Sequence, residues 1–113
     1  PPTTTKTKEI DESTTMNKYD IIGNGLCSGS DGVHSKVEGY IKSNSSVDEC
    51  KKECSNDKNC VGFTYSEIGK RCYIHMPFEN VPLGKTKLDE HYYTKKTITG
   101  ITGSSMFKCY KKL

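Results

Sequence analysis

The sequence predicts an α+β fold, one helix with about five strands, held by three disulfides. Three observations predict it: a capped helical segment at 46–56, a hairpin pattern at 60–76, and six cysteines in only 113 residues. The helix is marked at its start by Ser46 and Glu49. At this spacing the serine hydroxyl accepts the Glu49 amide while the glutamate reaches back to the Ser46 amide, a capping box. Asp48 and Glu49 in the first turn complement the helix dipole. Val47, Cys50 and Cys54 fall on one face, Lys51, Lys52 and Glu53 are expected to face water, and "SNDKN" stops the helix. The hairpin follows from β-formers in "CVGFTY" and "CYIHM" around "SEIGKR", with Gly69 in the turn and Pro77 ending the second arm. "YDII" reads as the first strand, "VPLGKTKL" as a loop, "EHYYTKKT" as a strand, "ITGITGSS" as a turn region and "MFKCYKKL" as the closing strand. One helix with about five strands is the α+β class.

Residues 1–18 hold two prolines, six threonines, balanced charge and few apolar groups. Such a composition cannot bury enough surface to offset its ordering entropy. It is therefore expected to be a flexible Thr/Lys-rich linker, with the folded domain at 19–113. Thr-rich, Pro-containing segments also occur as O-glycosylated stalks. No stretch approaches the roughly 20 apolar residues of a membrane span, and no apolar signal core opens the chain. The expectation is a piece of a longer secreted or surface protein, without direct membrane insertion.

Apolar residues make up 32% of the chain, tryptophan is absent, and mean hydropathy is −0.72. A domain near this size buries about 60–65% of its unfolded surface, so a core this thin needs staples. Zinc would require two tight cysteine pairs or a paired histidine motif. Cys50 and Cys54 make one such half, but Cys60 and Cys72 are too far apart for the other. The C-x-x-C of thioredoxin-like redox sites is missing. Six cysteines in a small extracellular chain read instead as a disulfide framework. Fifteen connectivities are possible. Cys60, just past the helix, can reach Cys54. Cys72 on the returning hairpin arm can reach Cys50. Cys27 in "GNGLCSGSDG" is left with Cys109 in the last strand.

At this point "DECKKECSNDKNCVGFTY…RCYI" resembles the core of a PAN/apple domain. Cys50, Cys54, Cys60, Gly62, Phe63, Tyr65 and Cys72 match its motif, and Cys27 with Cys109 match the extra pair of the six-cysteine apple version. The resemblance covers about residues 19–113. It implies the same nested pairing, Cys27–Cys109, Cys50–Cys72 and Cys54–Cys60, and a twisted antiparallel sheet cradling the helix. It also implies binding without catalysis: such domains bind proteins, heparin-like chains or galactose-type sugars. They occur in plasma protease precursors, a growth factor and adhesins of apicomplexan parasites. Sixteen lysines against one arginine lean toward the last of these, the surface or microneme adhesin type.

The residues themselves argue against an enzyme. His34, His75 and His91 stand in no catalytic motif, and His75, alternating with Ile74 and Met76, is expected to face outward. "GNG" is too short for a dinucleotide loop, and "SGSDG" lacks the alternating acids of a calcium loop. No metal, cofactor or nucleic acid is expected. Charge is uneven: net zero over 1–18, −2 over 19–84 and +5 over 85–113. In the last strand Phe107 and Cys109 share the expected core face, with Met106, Lys108, Tyr110 and Lys112 on the other. Tyr92, Lys95, Lys96, Lys108, Tyr110 and Lys112, with Lys70 and Arg71 at the hairpin tip, are therefore the ligand-binding candidates. A ring packs on the apolar face of a sugar while amines bond its hydroxyls or sulfates. The plain alternative is that these tyrosines fill the core and the lysines are solvated charge. Two functions stay open: recognition of cell-surface glycans, galactose-type or sulfated, and binding of a polypeptide or receptor partner beside other modules of an adhesive chain. "NSS" at Asn44 is a candidate glycosylation sequon.

Overall fold

A computed structural model of the chain describes residues 18–29 and 35–113. The expected linker, except Lys18, and His34 lie outside the described residues. Among those described, ten short strands surround one helix. They are β1 (Tyr19–Asn24), β2 (Leu26–Ser28), β3 (Lys36–Val37), β4 (Gly39–Lys42), α1 (Val47–Ser55), β5 (Gly62–Ser66), β6 (Arg71–His75), β7 (Thr86–Lys87), β8 (Tyr93–Lys95), β9 (Gly100–Thr102) and β10 (Phe107–Lys112). The main sheet is antiparallel with the order β1-β10-β5-β6-β4-β7. A second sheet, β8-β3-β2-β9, contains one parallel pair, β3 with β8. The α+β expectation holds, with three disulfides and a six-stranded antiparallel sheet in place of about five strands.

The helix begins as its sequence dictates. Ser46 is extended, its hydroxyl accepts the Glu49 amide at 3.2 Å, and Glu49 Oε1 accepts the Ser46 amide at 2.8 Å. That backbone hydrogen bond holds the Glu49 carboxyl below the usual range. Cys50 and Cys54 are buried beneath the helix and bridge to Cys72 and Cys60. Glu53 does not face water as expected. Tyr40 Oη, from β4, donates to it at 2.6 Å and Lys85 lies 3.6 Å away. Burial, then the Glu53 carboxylate, raises the Tyr40 hydroxyl pKa.

Between helix and sheet, Phe63, Tyr65, Ile74, Met76, Tyr40 and Tyr110 form the main core with four of the cysteines. Phe63 stacks on Tyr110 at 4.6 Å and meets the edge of Tyr19 at 5.4 Å. A smaller core of Cys27, Val37, Ile98 and Cys109 lies between the two sheets. Gly62 makes their close approach possible, since a Cβ there would collide with the Tyr110 carbonyl and the Ile98 side chain.

The second sheet overturns the expectation for His75. That ring is 1% exposed. Its Nδ1 faces the carbonyls of Val37 and Glu38 at 3.1 and 3.3 Å, and its Nε2 lies 2.8 Å from Thr64 Oγ1. Since carbonyls only accept, Nδ1 carries the proton and Nε2 accepts from the threonine. Thr64 Oγ1 in turn accepts the Cys27 amide at 3.0 Å. Alternation along β6 was sound, but here both faces of the strand are covered. The hairpin turn holds Gly69 as expected, and its left-handed residue is Lys70 (φ 49°). The "ITGITGSS" and "VPLGKTKL" segments contribute β9 and β7, strands too short to show a period.

Two predictions follow from this packing. Replacing Cys50 and Cys72 together by Ala should lower stability more than replacing Cys54 and Cys60. Chain entropy puts the first bridge at roughly 3.4 and the second at roughly 2.3 kcal/mol, and urea denaturation of the two variants measures the order. Burial pushes the His75 pKa from its ordinary 6.5 down to about 4. The unfolded chain therefore takes up a proton first as pH falls, and stability should drop between about pH 6.5 and pH 4 by roughly 3 kcal/mol. Below that window the histidine contributes no further slope. His75→Gln should flatten this part of the profile; an unchanged slope would show that other groups carry it.

Candidate functional site

The predicted ligand-binding residues fall in three places. Lys70 and Arg71 stand exposed at the end of the β5–β6 hairpin. Lys108, Tyr110 and Lys112 project from β10 toward the helix side, while Tyr92 lies in the turn before β8, Lys95 ends β8 and Lys96 follows it. The outward Lys108–Tyr110–Lys112 stripe is thus corrected. Tyr110 is 8% exposed and stacks on Phe63 in the main core. Lys112 reaches back to the end of the helix, where Nζ donates to the carbonyls of Cys54 and Asp57, both at 3.0 Å. Each carbonyl also accepts a backbone amide, Cys54 from Asp57 and Asp57 from Cys60, and a lysine at this end suits the negative end of the helix dipole. Burial lowers the Lys112 pKa. Lys108 stays exposed and lines a shallow cleft of about 200 Å³ with Val47, Tyr65 and Met106.

Lys96 is held in place as well. Its ammonium lies 3.0 Å from Glu38 and 3.3 Å from Glu79, and the Glu38 hydrogen bond raises its pKa. The same Glu38 oxygen accepts the Phe78 amide at 2.9 Å, so Lys96 helps anchor the turn at Phe78–Asn80. Lys95 is half-buried and lies against Gly29.

Around Tyr92 the chain builds a different surface. Asp89 starts it: its carboxylate accepts the His91 amide at 2.8 Å and its carbonyl accepts the amides of Tyr92 and Tyr93. An aspartate at the head of a turn does this readily. The two tyrosines are thereby set side by side, and Lys36, opposite Tyr93 in the parallel β3–β8 pair, places its ammonium 5.7 Å from the Tyr92 ring and 5.3 Å from the Tyr93 ring. Both distances are in the range of cation–π attraction. Tyr73 meets Tyr93 edge-on at 6.5 Å and Phe107 at 6.0 Å. Phe107, expected in the core, is half-buried in this aromatic row. Arg71 shares its face, two ladder positions away across Ser66. Tyr92 remains 42% exposed.

Lys36, Tyr73, Tyr93 and Phe107 were thus missing from the candidate list. Tyr73 was within reach of pattern reasoning, because Arg71, Tyr73 and His75 alternate along one face. Lys36 was not, since its partner ring is fifty-seven residues on. Among the described residues no cluster of three or more His, Cys, Asp or Glu side chains could hold a metal ion, and no helix is long and apolar enough to cross a membrane. Asn44 is exposed, with φ 52°, in the turn before the helix.

Replacing Lys112 by Met should lower stability by about 1–2 kcal/mol, the cost of two carbonyls losing a charged donor. Lys108→Met on the same strand face should change it little. Thermal denaturation of the pair checks this.

The profile of the PAN domain family matches residues 27–109, from the first cysteine to the last. No curated protein matches the chain, and no solved structure does. PAN domains are non-enzymatic modules that mediate protein or carbohydrate interactions. With the match spanning well over half its length and all six cysteines, the chain belongs to the PAN domain family.

Proposed function

We propose that this PAN domain is the adhesive module of a larger secreted or surface protein and that it recognises cell-surface glycans, galactose-type or sulfated. The observation that carries the reading is the Lys36 ammonium set over the adjoining rings of Tyr92 and Tyr93, with Tyr92 still open to solvent. Aromatic rings pack on the apolar faces of sugars, and ammonium or guanidinium groups bond hydroxyls and sulfates; Arg71 shares the face of Phe107, and Lys95 follows Tyr93 by two residues on β8. Lys70 lies beside Arg71 at the rim. Three disulfides in a PAN domain support an extracellular setting. Sixteen lysines against one arginine support an apicomplexan adhesin as the parent, stored in a secretory organelle before release.

A glycan array carrying galactose-type and sulfated sugars tests this. Tyr92→Ala should weaken binding at least tenfold, about 1.4 kcal/mol, and Lys36→Ser should weaken it further for sulfated than for neutral sugars. Sulfated ligands should lose affinity steeply with salt, because exposed charges are screened beyond about 8 Å at physiological ionic strength. Lys108→Ser, on the helix side, should leave binding unchanged. A blank array together with capture of one defined receptor protein would replace the glycan reading by the polypeptide one.

A further inference from the structure

We propose that a second contact surface, separate from the aromatic row, takes an acidic polypeptide segment. Where β10 ends beside the loop after the helix, a cleft of about 420 Å³ opens. Val61, Ile98 and Leu113 give it an aliphatic floor, and Lys58 and Lys111 stand at its rim. Leu113 is 67% exposed. Among the described residues, none that lines the cleft is acidic. Lys112 also borders it, but its ammonium is engaged by the helix-end carbonyls. Lys58 and Lys111 are exposed and form no salt bridge among the described residues. Asp20 sits opposite Lys111 in the β1–β10 ladder without closing an ion pair.

Charge decides the occupant's sign and the floor decides its kind. Two ammonium groups that close no salt bridge among the described residues, set around an apolar hollow, favour a partner that brings carboxylates. An aliphatic floor receives a leucine-like side chain, whereas the ring faces that suit a sugar lie in the other surface, around Tyr92. The ligand class is therefore an extended segment with an aliphatic residue next to Asp or Glu. The proposal stands whether or not the aromatic row binds glycans.

The test is a titration of the 15N-labelled chain with the blocked peptide acetyl-Asp-Leu-Glu-Leu-Asp-amide, followed by amide chemical shifts. Saturable shifts are expected at Val61, Ile98, Lys111 and Leu113. The neutral analogue acetyl-Asn-Leu-Gln-Leu-Asn-amide should bind at least fivefold more weakly. The double variant Lys58→Ser/Lys111→Ser should lose the acidic peptide by a similar factor while its other amide signals stay in place. Lys58→Gln alone serves if the double variant does not fold. Tyr92→Ala should leave peptide binding unchanged, which separates this site from the glycan site. Equal binding of both peptides, or no saturable shift at these residues, would overturn the proposal. So would a heparin-derived hexasaccharide that shifts the same amides and displaces the acidic peptide.

Discussion

Strand β5 is buried along its whole length, and the rest of the domain is arranged around that fact. Phe63 and Tyr65 turn to the helix, Thr64 and Ser66 to the opposite side. A strand in this position needs cover on both faces. The helix supplies one, drawn down by two disulfides. The other is supplied by strands of two or three residues, which could not persist alone. They are held by Cys27–Cys109 and by a run of hydrogen bonds from the Cys27 amide through Thr64 to His75 and on to Val37. In a chain poor in apolar groups, a covalent bond and a satisfied polar chain do what a larger core would otherwise do.

What could be read in the sequence followed from how local each signal was. The helix, its cap and the β5–β6 hairpin depend on residues within a few positions of one another, and all three are where the pattern placed them. Cysteine spacing extended that reach, because each bridge needs only a plausible neighbour. The second sheet was illegible for the opposite reason. β2 meets β9 across more than seventy residues, and neither strand is long enough to alternate. His75 was misread as a consequence: period two assigns a face, but not whether something covers it.

The same limit shaped the candidate site. Lysines and tyrosines gathered near the C-terminus suggested one surface, and the fold divides them between the helix side of β10 and the surroundings of β8. Tyr110 became core and Lys112 a helix cap, roles set by the face of β10 on which they stand. The surface that does bring a cation onto exposed rings draws on β3, β6, β8 and β10. Fold membership leaves such surfaces unspecified, since PAN domains share a scaffold and differ in what they hold.

One feature of the ladder bears on how an adhesive module behaves under load. β1 and β10 run antiparallel at the margin of the sheet, with Tyr19 opposite Lys112 and the Leu113 amide bonded to the Lys18 carbonyl at 2.9 Å. Tension applied at Lys18 and Leu113 would open this pair like a zip, one rung at a time and at low force. The opening would stop at Cys27–Cys109, where the pull passes into a covalent bond. The freed lengths, residues 18–27 and 109–113, span at most roughly 45 Å when extended. The aromatic row lies on chain enclosed by that bridge, so a module bound through it could lengthen by this amount, absorb a jerk and keep its grip, whereas the cleft would lose Lys111 and Leu113.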